Sequence, residues 1–133
     1  MYTPPQRNLA KLGLLLAVGL VAFWALFFTV GLSPENPPEG YEQFEHSFPF
    51  PDITLAIVLA ISSLAVHRGR RWAGSGMTAA GGALIFLGLL DFSFNIQNGM
   101  YLISPVETAM NIAIQVVCLA TGALFVRSFT KRS

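Results

Sequence analysis

Residues 84–101, LIFLGLLDFSFNIQNGMY, decide the reading of this chain. The stretch begins as a membrane-grade apolar run and then takes in Asp91, Ser93, Asn95, Gln97 and Asn98 before the Asn98-Gly99 turn signal. A carboxylic acid inside hydrocarbon is expensive and by default marks a functional site. Working outward, the same apolar character recurs in three other runs. The predicted spans are 12–32, 51–68, 73–97 and 105–126, each about long enough for a helix rising 1.5 Å per residue to cross roughly 30 Å of hydrocarbon. The second is the shortest and needs Pro51-Asp52 and the snorkelling His67-Arg68 end to reach that length. The expected fold class is therefore all-α, a four-helix transmembrane bundle within a single membrane domain, residues 1–133.

Composition agrees. The chain has 133 residues, 53% hydrophobic and 11% charged, with a mean hydropathy of +0.58, which is too apolar for an ordinary soluble domain. The first run is longer than a signal-peptide core and no small-x-small cleavage pattern follows it, so it reads as retained, after a short polar lead over residues 1–11. Residues 33–50 form the one long loop. Its prolines exclude a continued helix, while Tyr41, Phe44, Phe48 and Phe50 suit the membrane interface.

The net charge of +1 conceals a sharp separation. Every Lys and Arg (Arg7, Lys11, Arg68, Arg70, Arg71, Arg127, Lys131, Arg132) falls at the termini or between the second and third runs. Every acid (Glu35, Glu39, Glu42, Glu45, Asp52, Asp91, Glu107) falls in or beside the other two loops. By the positive-inside rule both termini are expected in the cytoplasm, in a multi-pass protein of a cell membrane such as the bacterial inner membrane. The basic clusters then read as topology determinants and anionic-lipid contacts, with no nucleic-acid partner.

Asp91, Asn95 and Asn98 recur at i, i+4, i+7 and share a helix face; Glu107, Asn111 and Gln115 recur at i, i+4, i+8 on the next helix. Antiparallel neighbours carrying these stripes would line a polar cavity in the outward half, with Asp91 and Gln115 deepest. The plainer alternative is that the amides pair across the helices as glue. Glu107 and Asp52 both lie in first turns, where an acid complements the helix dipole without further purpose. Asp91 lies towards the opposite, unfavourable end of its helix. With no Lys or Arg on that side it must be protonated, hydrogen-bonded, or matched by an exogenous cation.

His46, in E-x-x-E-H, is a candidate proton-transfer partner above the cavity mouth; read as half of a metal site the group is too short, and a solvated acidic loop is the simpler account. No metal or cofactor is implied: zinc spacing, phosphate loops and nucleophile elbows are absent, and the lone Cys118 excludes paired-thiol chemistry. The small residues Gly74, Thr78 and Gly82, four apart, predict a stripe for close helix approach.

SFPFPD at the entry to the second run and LLDFSFNIQNGMY closing the third resemble small four-helix bacterial membrane proteins of unknown function, a likeness of layout that implies the fold and no activity. In architecture alone the chain is also similar to the emopamil-binding/sigma-2 type of sterol-handling bundle, which places acids in a membrane cavity. The leading expectation is a binding or accessory membrane protein for a small amphipathic or cationic ligand, at Asp91, Asn95, Asn98, Glu107, Asn111 and Gln115. Two alternatives stand beside it. One is an isomerase- or cyclase-type enzyme on a lipid-like substrate, with Asp91 as acid and His46 or Glu107 as base. The other is a structural partner of another membrane protein or of a second copy of itself.

Overall fold

The computed structural model describes residues 2–29, 39–40, 43, 47–97, 99 and 105–130, the side chain of Glu107 excepted. Four helices account for nearly all of them: α1 Pro4–Thr29, α2 Pro49–His67, α3 Ala73–Gln97 and α4 Pro105–Thr130. All four are long and apolar enough to cross a membrane, and no strand occurs among the described residues. At 19 residues α2 is the shortest, yet at 1.5 Å per residue it still covers about 28 Å. The ends of the helices fall into two groups: a basic end, carrying Arg7, Arg68, Arg70, Arg71 and Arg127, and an acidic end, near Asp52 and Asp91.

Helix α1 starts well before the predicted Leu12. The sequence Thr3-Pro4-Pro5-Gln6 forms a capping box: the Gln6 amide donates to Thr3 Oγ1 at 3.3 Å and the Thr3 amide donates to Gln6 Oε1 at 2.9 Å. The two prolines fill first-turn positions, where no backbone donor is required. The polar lead is thus the first turns of α1, and Arg7 and Lys11 project from the helix. Helix α4 likewise runs past Val126 to Thr130. Between α2 and α3, Gly69 adopts φ +67°, a left-handed conformation favoured by glycine, and its amide and that of Arg70 donate to Val66 and Ala65 carbonyls at 3.0 and 2.9 Å. That closure lets α3 begin only a few residues after α2 ends.

The helices pack as two hairpins. α3 lies most intimately on α4, α1 packs on α2, and α2 against α3 joins the pairs, whereas α1 and α4 meet sparingly. The α3–α4 seam is set by glycine. A Cβ on Gly81 would stand 2.8 Å from the Gly122 carbonyl oxygen, and one on Gly122 would stand 2.6 Å from that of Gly81. On the same face of α3, Gly74 meets the Phe129 backbone and Gly88 meets Leu119 and Cys118. The operative small residues are therefore Gly74, Gly81 and Gly88, seven apart. This corrects the predicted stripe of Gly74, Thr78 and Gly82: Gly82 is exposed with nothing near it, and Thr78 spends its hydroxyl on the Gly74 carbonyl of its own helix. A strict four-residue spacing drifts around a helix, while a heptad stays on the seam of two helices that cross at a shallow left-handed angle.

The basic half of the interior is mainly apolar. Leu59, Met77, Leu84 and Phe125 are fully buried there, with Ser62 and Ser63 among them. The Tyr2 hydroxyl closes this end, donating to the Arg70 carbonyl at 2.7 Å and accepting from the Gly74 amide at 3.0 Å; Gln6 Nε2 donates to the Ser128 carbonyl at 2.9 Å. Large side chains such as Leu15, Phe86 and Val116 cover the outside, as expected of a surface solvated by acyl chains.

The seam gives a direct test. Gly81→Leu should destabilise the purified protein by about 3 kcal/mol, the upper end for an overpacked interior, seen as a lowered thermal midpoint in detergent. Gly82→Leu should leave that midpoint unchanged.

Candidate functional site

Among the described residues, the acidic half of the interior holds Trp24, Asp52, Asp91, Asn95 and Gln115, drawn from all four helices, while Ser62, Ser63 and Thr121 are buried in the other half. Helix α1 contributes Trp24, about one and a half turns before the helix ends, held among Phe23, Phe27 and Phe28 with ring centroids 5.0, 5.0 and 5.9 Å away. Helix α2 contributes Asp52 in its first turn, where Pro49 and Pro51 start the helix and the dipole favours an acid. The two meet across the hairpin: Trp24 Nε1 donates to Asp52 Oδ2 at 2.8 Å, and both residues are buried, 5% and 7% exposed. The other carboxyl oxygen, Asp52 Oδ1, is buried without a hydrogen-bond partner.

Helices α3 and α4 contribute the second half. Gln115 Nε2 donates to Asp91 Oδ2 at 2.8 Å, with Gln115 buried and Asp91 half-buried. The two predicted stripes meet at this level in a direct bond. Asn95, one turn from Asp91 towards the acidic end, is 3% exposed, and its Nδ2 has no partner. Asn111, one turn from Gln115 on the same side, is half-buried. Ser93 and Gln97, the other polar residues of that stretch, bond each other at 3.1 Å on the exposed side of α3 and do not belong to the site. His46, Asn98 and the side chain of Glu107 lie outside the described residues.

The two acids lie in the same half of the bundle, with the half-buried Cys118 one turn along α4 from Gln115. Two like charges in apolar surroundings are mutually costly unless a proton or a cation lies between them. No ion pair and no group of three or more metal-ligating side chains occurs among the described residues, and every Lys and Arg lies at the other end of the bundle or in the C-terminal tail. The arrangement can accept hydrogen bonds from a cationic donor and can hold or exchange a proton.

Asp52 and Trp24 are the members that sequence reasoning missed. The sequence assigns Asp52 to the helix dipole and gives Trp24 no role. The available signal was register: in an antiparallel hairpin, an indole five residues before the end of α1 and an acid three residues into α2 sit at similar depth.

Comparison with protein-family models, curated proteins and solved structures finds no match, so residue roles rest on this geometry.

The Trp24–Asp52 bond makes its own demand. Trp24→Phe strips Asp52 of its donor and should cost about 1–3 kcal/mol, the usual penalty for an unsatisfied buried polar group, read as a fall in thermal midpoint. Asp52→Leu placed on that background should recover most of the loss.

Proposed function

We propose that the chain is a multi-pass protein of a cell membrane, with both termini cytoplasmic, that binds a small organic cation at the acid pair Asp52–Asp91 in the outward half of its bundle. The segregation of basic residues to one end of the bundle supports the orientation. Asp52 Oδ1 carries the binding reading. It is a buried carboxyl oxygen with no partner, in the half of the bundle that also holds Asp91 and has no Lys or Arg. Ionised or neutral, a carboxyl oxygen in hydrocarbon needs a partner, and buried groups without one are rare. An ammonium group supplies both the charge and the donors that this site lacks. The bond from Trp24 and that from Gln115 already fix the two carboxyl groups, so little ordering is needed when a cation arrives.

The reading is tested with the protein in lipid nanodiscs, carrying Trp72→Phe so that Trp24 is the sole tryptophan reporter. Hexylamine should change Trp24 emission saturably, and hexanol should not. Asp52→Asn and Asp91→Asn should each weaken the amine by roughly tenfold, the range of a lost charge-assisted bond. Equal responses to amine and alcohol, or full affinity in both variants, would overturn it.

A further inference from the structure

The basic end of the bundle carries a groove of about 380 Å³ where α2 turns into α3. Ile61, Leu64, Ala65 and Arg68 line it from α2, at i, i+3, i+4 and i+7 on one helix face, and Arg70 and Trp72 line it from the turn. Ala65 is buried, whereas Ile61, Leu64 and Trp72 are each about half exposed and both arginines are exposed. The left-handed Gly69 reverses the chain and returns Arg70 and Trp72 to the groove that Arg68 already lines. Along α2 the lining changes from hydrocarbon at Ile61 to a cation at Arg68 over about 10 Å.

The two guanidinium groups have no acidic side chain to meet. None of the seven acids lies in the segments at this end of the bundle, residues 1–11, 67–73 and 127–133. The carbonyls of Leu64, Ala65 and Val66 are engaged by the amides of Arg68, Arg70 and Gly69 at 3.1, 2.9 and 3.0 Å, and that of Arg70 by the Tyr2 hydroxyl. The groove thus lacks an anion at one end and offers an apolar wall at the other. A guanidinium fork matches a phosphate, and basic pockets at the ends of membrane helices hold anionic head groups. We propose that this groove is a site for one anionic phospholipid, its phosphate held by Arg68 and Arg70 and one acyl chain running along Leu64 and Ile61. Trp72 suits the level of the head group, where indoles collect at membrane interfaces. Arg71 and Arg127 stand at the same end without lining the groove, so they contribute only to the general surface charge. The inference is independent of the cation reading at the acid pair.

Trp72 reports on the occupant. The protein is placed in phosphatidylcholine nanodiscs that contain a minor share of acyl-brominated phosphatidylglycerol, or the same share of brominated phosphatidylcholine, since bromine quenches an indole that it touches. Trp24, buried at the other end, gives a common background. Quenching should show a preference for phosphatidylglycerol of roughly fivefold or more, the worth of one arginine near a membrane surface. Arg68→Gln with Arg70→Gln should abolish the preference. Arg71→Gln with Arg127→Gln removes the same charge from the same end and should keep it within about twofold. All four side chains are exposed, so an unchanged thermal midpoint checks that each variant is folded; Arg68→Gln alone, which should at least halve the preference, is the second variant should the pair misfold. Inorganic phosphate at constant ionic strength should leave the quenching unchanged. No preference in the wild type would overturn the site, as would equal loss in both folded pairs, which is diffuse surface charge. Displacement by inorganic phosphate would overturn the lipid as occupant.

Discussion

A single hydrogen bond, from the Trp24 indole to one oxygen of Asp52, ties the first hairpin together in the half of the bundle where the interior is polar. It places a carboxyl group inside an apolar assembly and satisfies only half of it. Much of the rest follows from that placement. α2 must start at Pro49 for Asp52 to lie one turn in, and α1 must present its indole at the same depth. α3 packs on α2, which brings Asp91 into the same half of the bundle. The second hairpin repeats the device with an amide donor, Gln115 on Asp91. Each acid is held by a neutral donor from the neighbouring helix of its own hairpin, and neither is given a cation.

The two halves of the bundle divide the labour. The basic half supplies stability through close packing: glycines admit α4 to the α3 backbone, Phe125 fills the centre, and Tyr2 and Gln6 lock the end. The acidic half accepts polar groups that a well-packed interior would exclude, and two of its buried polar atoms have no partner. Sites that bind or react commonly depart from local rules in this way, with the remainder of the fold carrying the stability.

The four helices were legible because hydropathy over some twenty residues is a strong signal in a chain solvated by lipid. Helix ends were less so. Thr3 and Gln6 spell a capping box, but in a polar lead they read as solvent-exposed tail until the bond pattern is seen. The glycine seam is half legible: a four-residue spacing includes Gly74 but does not stay on a supercoiled seam, so it does not pick out Gly81 and Gly88. In the site, Asp91 and Gln115 came from helical periodicity, a local property. Asp52 and Trp24 did not, because their bond spans the long loop and depends on how α1 and α2 pack. The dipole explanation of Asp52 holds as far as it goes, but a helix N-terminus alone does not bury a carboxyl group.

The central claim is that Asp52 and Asp91 form one coupled site. A double-mutant cycle with Asp52→Asn and Asp91→Asn, read as the free energy of unfolding in detergent, tests it most directly, since both substitutions keep shape and leave an oxygen for Trp24 and Gln115 to bond. The account expects non-additivity of at least about 0.5 kcal/mol, the second removal of charge gaining less than the first. Strictly additive effects would contradict it, and the two acids would then be separate features of two hairpins.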